Sequence, residues 1–207
     1  MTKIEIHDYM RDIKSAQDLE EVTKNIAKDE FGYLGFGNTE ELKSWLEEIV
    51  LGNATLEIPE SANVKEMVSE IIGKSKSITK DSKLIKVYLF ACTDEFTVEN
   101  LDGIGGYSLN NTVILTINSS AENWEGALKN SIGHELVHAC QLNYVPRETL
   151  ADDLIYDGIA EKFSEKVLGL PRQNWSDAIT KEQANEILKE LKPKLETVDE
   201  ELSFELF

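Results

Sequence analysis

The sequence predicts an α+β fold, mainly helical, with a small mixed or antiparallel sheet packed on one central helix. Three observations carry this expectation. Helical apolar spacing covers most of the chain, a β-branched and aromatic run with a hairpin signal interrupts it between residues 84 and 117, and the next helix holds two of the three histidines. The 207 residues, 41% hydrophobic and 29% charged, suit one domain with one core, and no repeat, low-complexity tract or linker divides them. Within it we expect a helical N-terminal region over residues 1–80, a core over 81–170 and a C-terminal helical region over 171–207.

The first eighty residues read as helical. Asn38 with Glu41 forms a capping pair ahead of Leu42, Trp45, Leu46 and Ile49, whose spacing gives one apolar face. A further helix follows Pro59 through Val64, Met67, Val68 and Ile71. The period then changes. Residues 84–92 (LIKVYLFAC) have strand composition, and Asn110-Asn111 separates residues 106–109 from 112–117, as in a hairpin. Ser119 with Glu122 reads as a capping box opening a helix to about Leu142. A second long helix is expected from about Glu148 to Leu168, stopped by Gly169 and Pro171. A last one starts near Thr180, boxed by Gln183, with Ile187, Leu188 and Leu191 forming a face that can pack on the rest.

A formal charge of -18 argues against nucleic-acid phosphate as a partner, since the whole molecule's field would oppose it; cationic peptides or metal ions fit better. The start, MTKIEIHDYMRDIK, lacks the continuous apolar stretch of a secretory signal, and no segment is apolar enough to span a bilayer, so the expectation is a cytoplasmic protein with no membrane partner. Cys92 and Cys140 are too few for a disulfide scaffold and are expected as buried small hydrophobes.

The chemistry lies in residues 134–138, HELVH. At 3.6 residues per turn His134 and His138 lie about 40° apart on one helix face, so two imidazoles reach one ion. Glu135 sits about 100° round from His134, placed to face a water on that ion as a general base. At this composition the pattern arises by accident roughly 0.008 times in a chain of this length. Catalytic zinc needs a third protein ligand and an open fourth position. The following helix offers Asp157 and Glu161, one turn apart in the stripe that holds Leu150, Leu154 and Leu168; unpaired charges there would be costly, and a bound cation with a nearby imidazole explains both. Gly158, costing about 1 kcal/mol inside a helix, suggests close approach to the first helix.

This arrangement resembles the gluzincin metallopeptidases, in which HExxH on one helix is followed on the next by an acidic ligand in an E-G-x-A-like stretch. Here eighteen residues separate His138 from Asp157-Gly158-Ile159-Ala160. The order of strand, hairpin and HExxH over residues 84–168 also looks like a group of short bacterial predicted zinc-dependent proteases known as a domain of unknown function. The resemblance implies a zincin-like fold, Zn2+ as cofactor, a peptide or protein substrate, His134 and His138 as ligands, Glu135 as base and Asp157 in the glutamate ligand's place. Glu161 falls where gluzincins can carry an acid that hydrogen-bonds a ligand histidine.

Two departures bear on the mechanism. Asp157 is one methylene shorter than glutamate, so either the helices approach more closely or Glu161 takes the metal. No Tyr or His follows Asp157, where gluzincins often place an oxyanion-stabilising residue; Tyr107, Tyr144, Tyr156 and Arg147 are the candidates to substitute. The leading expectation is a zinc-dependent metallopeptidase whose substrate would lie along the strand at residues 112–117, where Gly105 and Gly106 leave room for a backbone. A catalytically silent zinc-binding protein with a regulatory or protein-binding role is the alternative. A non-haem iron site is a third reading, which leaves Glu135 without a task. Oligomeric state is not legible.

Overall fold

The computed structural model describes residues 2–30, 39–79, 84–109, 111–141, 149–173, 176 and 178–197. In chain order the elements are β1 (Lys3–Asp8), α1 (Ala16–Glu30), α2 (Thr39–Val50), α3 (Ser61–Lys74), α4 (Lys76–Thr79), β2 (Leu84–Ala91), α5 (Glu95–Asn100), β3 (Ile104–Leu109), β4 (Thr112–Ile117), α6 (Trp124–Gln141), α7 (Leu150–Lys166) and α8 (Lys181–Leu191). The class is α+β, as expected, and the sheet is mixed. Its order is β1-β2-β4-β3, with β1, β2 and β4 parallel and β3 returning antiparallel beside β4.

Period-two alternation sends side chains of β2 and β4 to opposite faces, and both faces are covered. Ile85, Val87 and Leu89 of β2, with Val113, Leu115 and Ile117 of β4, pack against Val64, Val68 and Ile71 of α3 and Leu128, Ile132 and Leu136 of α6. Tyr88, Phe90 and Ile114 face the other way, onto Leu19, Val22 and Ile26 of α1 and Leu46 and Val50 of α2. Burial on both sides is why these strands read as continuous apolar runs rather than as alternating ones.

Several expectations need correction. The first eighty residues are not all helical: β1 lies among them, with Ile4 and Ile6 packed on the α3–α6 side of the core. Its partner is β2, paired in parallel from Lys3↔Leu84 onward, so no local turn signals the strand. The box at Ser119 and Glu122 does not open a helix. Ser119 instead bonds the Glu57 carbonyl through its backbone N–H at 2.8 Å and its hydroxyl at 3.1 Å, and α6 begins at Trp124. Residues 112–117 are not the sheet edge, because β4 lies between β2 and β3; the edge on that side is β3. The α8 capping box at Thr180 and Gln183 forms, but the helix has no buried residue and Ile187 and Leu188 are exposed. Asn38 and Leu142 lie outside the described residues.

The long helix after the central one is built as its sequence suggests. Thr149 and Asp152 cap α7 reciprocally, and Gly169, at φ 68, takes the left-handed conformation just beyond its end. No helix among the described residues is long and apolar enough to cross a membrane.

Candidate metal centre

α6 crosses the α3–α6 face of the sheet with Leu128, Ile132 and Leu136 turned into the core, which leaves the stripe carrying His134 and His138 turned towards α7. The crossing with α7 is tight because its residues are small. A Cβ on Gly133 would lie 2.7 Å from Ser164 Oγ and from Leu168 Cδ1, and Ala160 is fully buried beside Val137. Gly158, to which the sequence assigned close approach, is exposed, and a Cβ there would meet nothing within 4 Å. The contact exists, but the glycine that permits it is the one preceding His134.

Three donor atoms converge between the helices. His134 Nε2 and His138 Nε2 are 2.8 Å apart, and Asp157 Oδ1 lies 3.1 Å from His138 Nε2 and 3.7 Å from His134 Nε2. Among the described residues these three form the group whose ligand atoms all lie within 4.8 Å of one another. Tetrahedral zinc with donors at about 2.05 Å sets any two of them about 3.3 Å apart, a value that the three distances bracket. The donor set, two imidazoles and one carboxylate, also suits zinc in type and number. The residues fit the metal.

Glu161 stands behind this group rather than in it. Its Oε1 lies 3.3 Å from His134 Nδ1, and its Oε2 accepts a 3.0 Å hydrogen bond from Ser176 Oγ. His138 is held by stacking instead: its ring lies 4.0 Å from that of Tyr156 at 14°, while the Tyr156 hydroxyl donates to the His138 carbonyl at 3.4 Å. The charges reinforce one another. Burial pushes His134 down, but hydrogen bonds from its ring to Asp157 and Glu161, with the nearby Glu135 charge, outweigh this and raise its pKa to about 10. Burial likewise pushes Asp157 up, and its hydrogen bonds with His134 and His138 reverse the shift, holding it well below the usual carboxylate range.

Glu135 faces the sheet. The edge strand passes so close that a Cβ on Gly106 would sit 2.7 Å from both Cγ and Oε1 of Glu135. Glu135 is buried, yet it lines a cleft of about 550 Å³ together with His134, Asp157, Glu161 and the β3 residues Gly105 and Gly106. Of the expected oxyanion candidates, Tyr107 packs against Trp45 on the opposite, α1–α2, side of the sheet, and Tyr156 is engaged as above. Tyr144 and Arg147 lie outside the described residues.

Residues 64–207 match the model of a family described as Predicted Zn-dependent protease (DUF2268). The chain belongs to that family. The DUF2268 match is wider than the resemblance over 84–168, starting inside α3 and running past α8. No curated protein and no solved structure matches the chain.

Sequence reasoning missed the parts of the site that carry no motif. Ser176, which bonds Glu161, is a lone polar residue between α7 and α8, and Phe96 and Leu101, which form an apolar wall of the cleft, lie in the polar stretch EFTVEN and just after it. Only Gly133 carried a signal, since a glycine inside a helix calls for a packing reason.

Proposed function

We propose that the chain is a zinc-dependent metallopeptidase that hydrolyses peptide bonds in a peptide or protein substrate. His134, His138 and Asp157 would hold the metal, Glu135 would act as general base, and Glu161 would position His134. The observation that carries this reading is the convergence of two imidazole nitrogens and one carboxylate oxygen beside a cleft that the Glu135 carboxylate also lines.

Held by His134, His138 and Asp157, zinc would supply Lewis acidity towards a scissile carbonyl and an attacking water near neutral pH. Glu135 takes a proton from the attacking water on a carboxylate oxygen and delivers it to the amide nitrogen as the C–N bond breaks, leaving a carboxylate and an amine. Glu161 Oε1, 3.3 Å from His134 Nδ1, would accept its proton, fixing the tautomer that keeps the Nε2 lone pair available for a metal and making that nitrogen more basic. The outer edge of β3 offers backbone groups to an extended substrate, and Gly105 and Gly106 add no side chain to hold it off.

The test is metal analysis of the purified protein followed by exposure of the zinc-loaded form to a complex peptide mixture read by mass spectrometry. The expected result is one zinc per chain and cleavage that Glu135→Gln abolishes without loss of zinc. One observation favours the silent zinc-binding reading: among the described residues neither Tyr107 nor Tyr156 offers its hydroxyl to the cleft as an oxyanion donor. Under that reading the zinc-loaded wild type cleaves nothing and Glu135→Gln changes no function. Iron in place of zinc would support the third reading.

A further inference from the structure

The cleft beside Glu135 has a wall that the proposed chemistry does not use. Phe96, Leu101 and Ile104 line it, and Phe96 keeps 64% of its surface exposed. The wall is rigidly built. Asp94 caps α5 by accepting from Thr97 N at 2.8 Å and Thr97 Oγ1 at 2.7 Å, so the short helix carrying Phe96 has a fixed start. The turn into β3 closes through Gly103 N–H to the Thr97 carbonyl at 3.1 Å. Gly103 sits at φ 77, and a Cβ there would lie 2.2 Å from the Asn118 carbonyl oxygen, so the turn admits no other residue without shifting.

Strand geometry relates this wall to the chemistry. Ile104 and Gly106 share one face of β3, about 6.7 Å apart, and Gly106 is the residue in contact with Glu135. A peptide lying extended along β3 has the same pitch. When one of its residues faces Glu135, the side chain two positions along faces Phe96, Leu101 and Ile104. The cleft's carboxylates Asp157 and Glu161 are already turned to the histidines, so what this wall offers is apolar contact.

We propose that Phe96, Leu101 and Ile104 form a specificity subsite for a bulky apolar side chain within two residues of the scissile bond. This selects apolar peptide segments as the substrate class and rests on the peptidase reading above. Because α5 and its turn are fixed in advance, binding there requires little ordering of the protein.

The test uses binding, so that it does not depend on turnover. Zinc-loaded full-length protein carrying Glu135→Gln is titrated with fluorescent end-blocked octapeptides of Ala, Ser and Gly through which a single Phe, Leu or Lys is walked. We expect one position at which Phe or Leu tightens binding about tenfold or more over Ala. That preference should fall below about twofold when Phe96→Ala is added, with the Phe or Leu peptide losing more affinity than the all-small peptide. Equal affinity across the series, a preference for Lys, or an apolar preference that survives Phe96→Ala overturns the subsite. Cleavage of the same peptides by the wild type reports separately: cleavage without apolar selectivity overturns the subsite and spares the peptidase, whereas selective binding with no cleavage spares the subsite and sinks the peptidase.

Discussion

Replacing Gly106 with Ala tests whether the edge strand sets the position of the base. The added Cβ would lie 2.7 Å from Glu135 Cγ, 2.7 Å from Oε1 and 3.0 Å from Cδ, where carbon contacts favour about 3.5–4.0 Å. Something must move by about 1 Å. Because Cγ is near the root of the side chain, turning the carboxylate end alone does not relieve the clash; Glu135 must change rotamer or β3 must draw back. A catalytic group misplaced by about 1 Å costs up to about 100-fold, within the 10²–10⁴-fold that general acid–base catalysis contributes. We expect kcat/KM to fall about 10- to 100-fold, equivalent to about 1.4–2.7 kcal/mol of transition-state stabilisation, with zinc content unchanged. Stability should hardly change, since Ala gains about 0.5–1 kcal/mol over Gly in a strand and offsets part of the crowding. The assay is steady-state peptide hydrolysis with zinc quantified in the same samples. Gly105→Ala is the comparison: its Cβ would meet Thr116 Oγ1 at 2.5 Å and not Glu135, so it should cost stability without moving the base. A Gly106→Ala enzyme that keeps kcat/KM within twofold of wild type refutes the reasoning.

Four other outcomes follow from the same geometry. Asp157→Ala should abolish stoichiometric zinc binding, while Glu161→Gln should leave one zinc per chain with affinity lowered about 10- to 100-fold, measured by competition with a chelating dye. In the metal-free protein the His134–Asp157 pairing should be strongest between about pH 4 and 6.5. Above that window the His134 contribution is lost as pH rises towards about 10, and below it the Asp157 contribution is lost on protonation; the difference in Tm between wild type and Asp157→Asn across pH reads this directly. Zinc uptake at neutral pH should accordingly release a proton from His134, visible as a buffer-dependent heat in calorimetry. Gly133→Ala sets about 1–3 kcal/mol of overpacking against Ser164 and Leu168 against about 1 kcal/mol of helix propensity, so thermal melts should show modest destabilisation, accompanied by weakened zinc binding as α7 is pushed away.

Legibility followed the range of the interactions. The pattern at residues 134–138 is local, and the helical period alone brought His134 and His138 together, as it set Asp157 and Glu161 on one stripe. The caps at Thr149 and Thr180 are local too; the first was absorbed into a boundary one residue away and the second was read directly. β1 was not legible, although Ile4 and Ile6 alternate, because its partner lies some eighty residues on and parallel pairing leaves no turn to read. The order of β3 and β4 failed for a related reason. A hairpin signal says that two strands pair, whereas which of them becomes the edge depends on where β2 docks. The apparent box at Ser119 failed because the Glu57 carbonyl, from a distant segment, takes that residue's donors.

Under the proposed reading, the aspartate and the tight helix crossing answer one another. By the gluzincin resemblance Asp157 stands where a glutamate is expected and reaches about 1.5 Å less far from its helix, a shortfall that a different ligand or a closer helix can cover. Glu161 does not supply the first remedy here, since its two oxygens face His134 Nδ1 and the Ser176 hydroxyl. The second is written into the crossing: Gly133, Ala160 and Ser164 put the smallest side chains where α6 meets α7, and interaxial distance follows the size of the contact residues. Asp157 Oδ1 thereby comes within 3.1 Å of His138 Nε2, while Glu161, a turn further along, lies against His134 from behind. On this argument an Asp157→Glu substitution is not conservative. The extra methylene would drive its carboxylate into the space between two imidazole nitrogens already 2.8 Å apart, unless a larger residue at Gly133 first widened the gap.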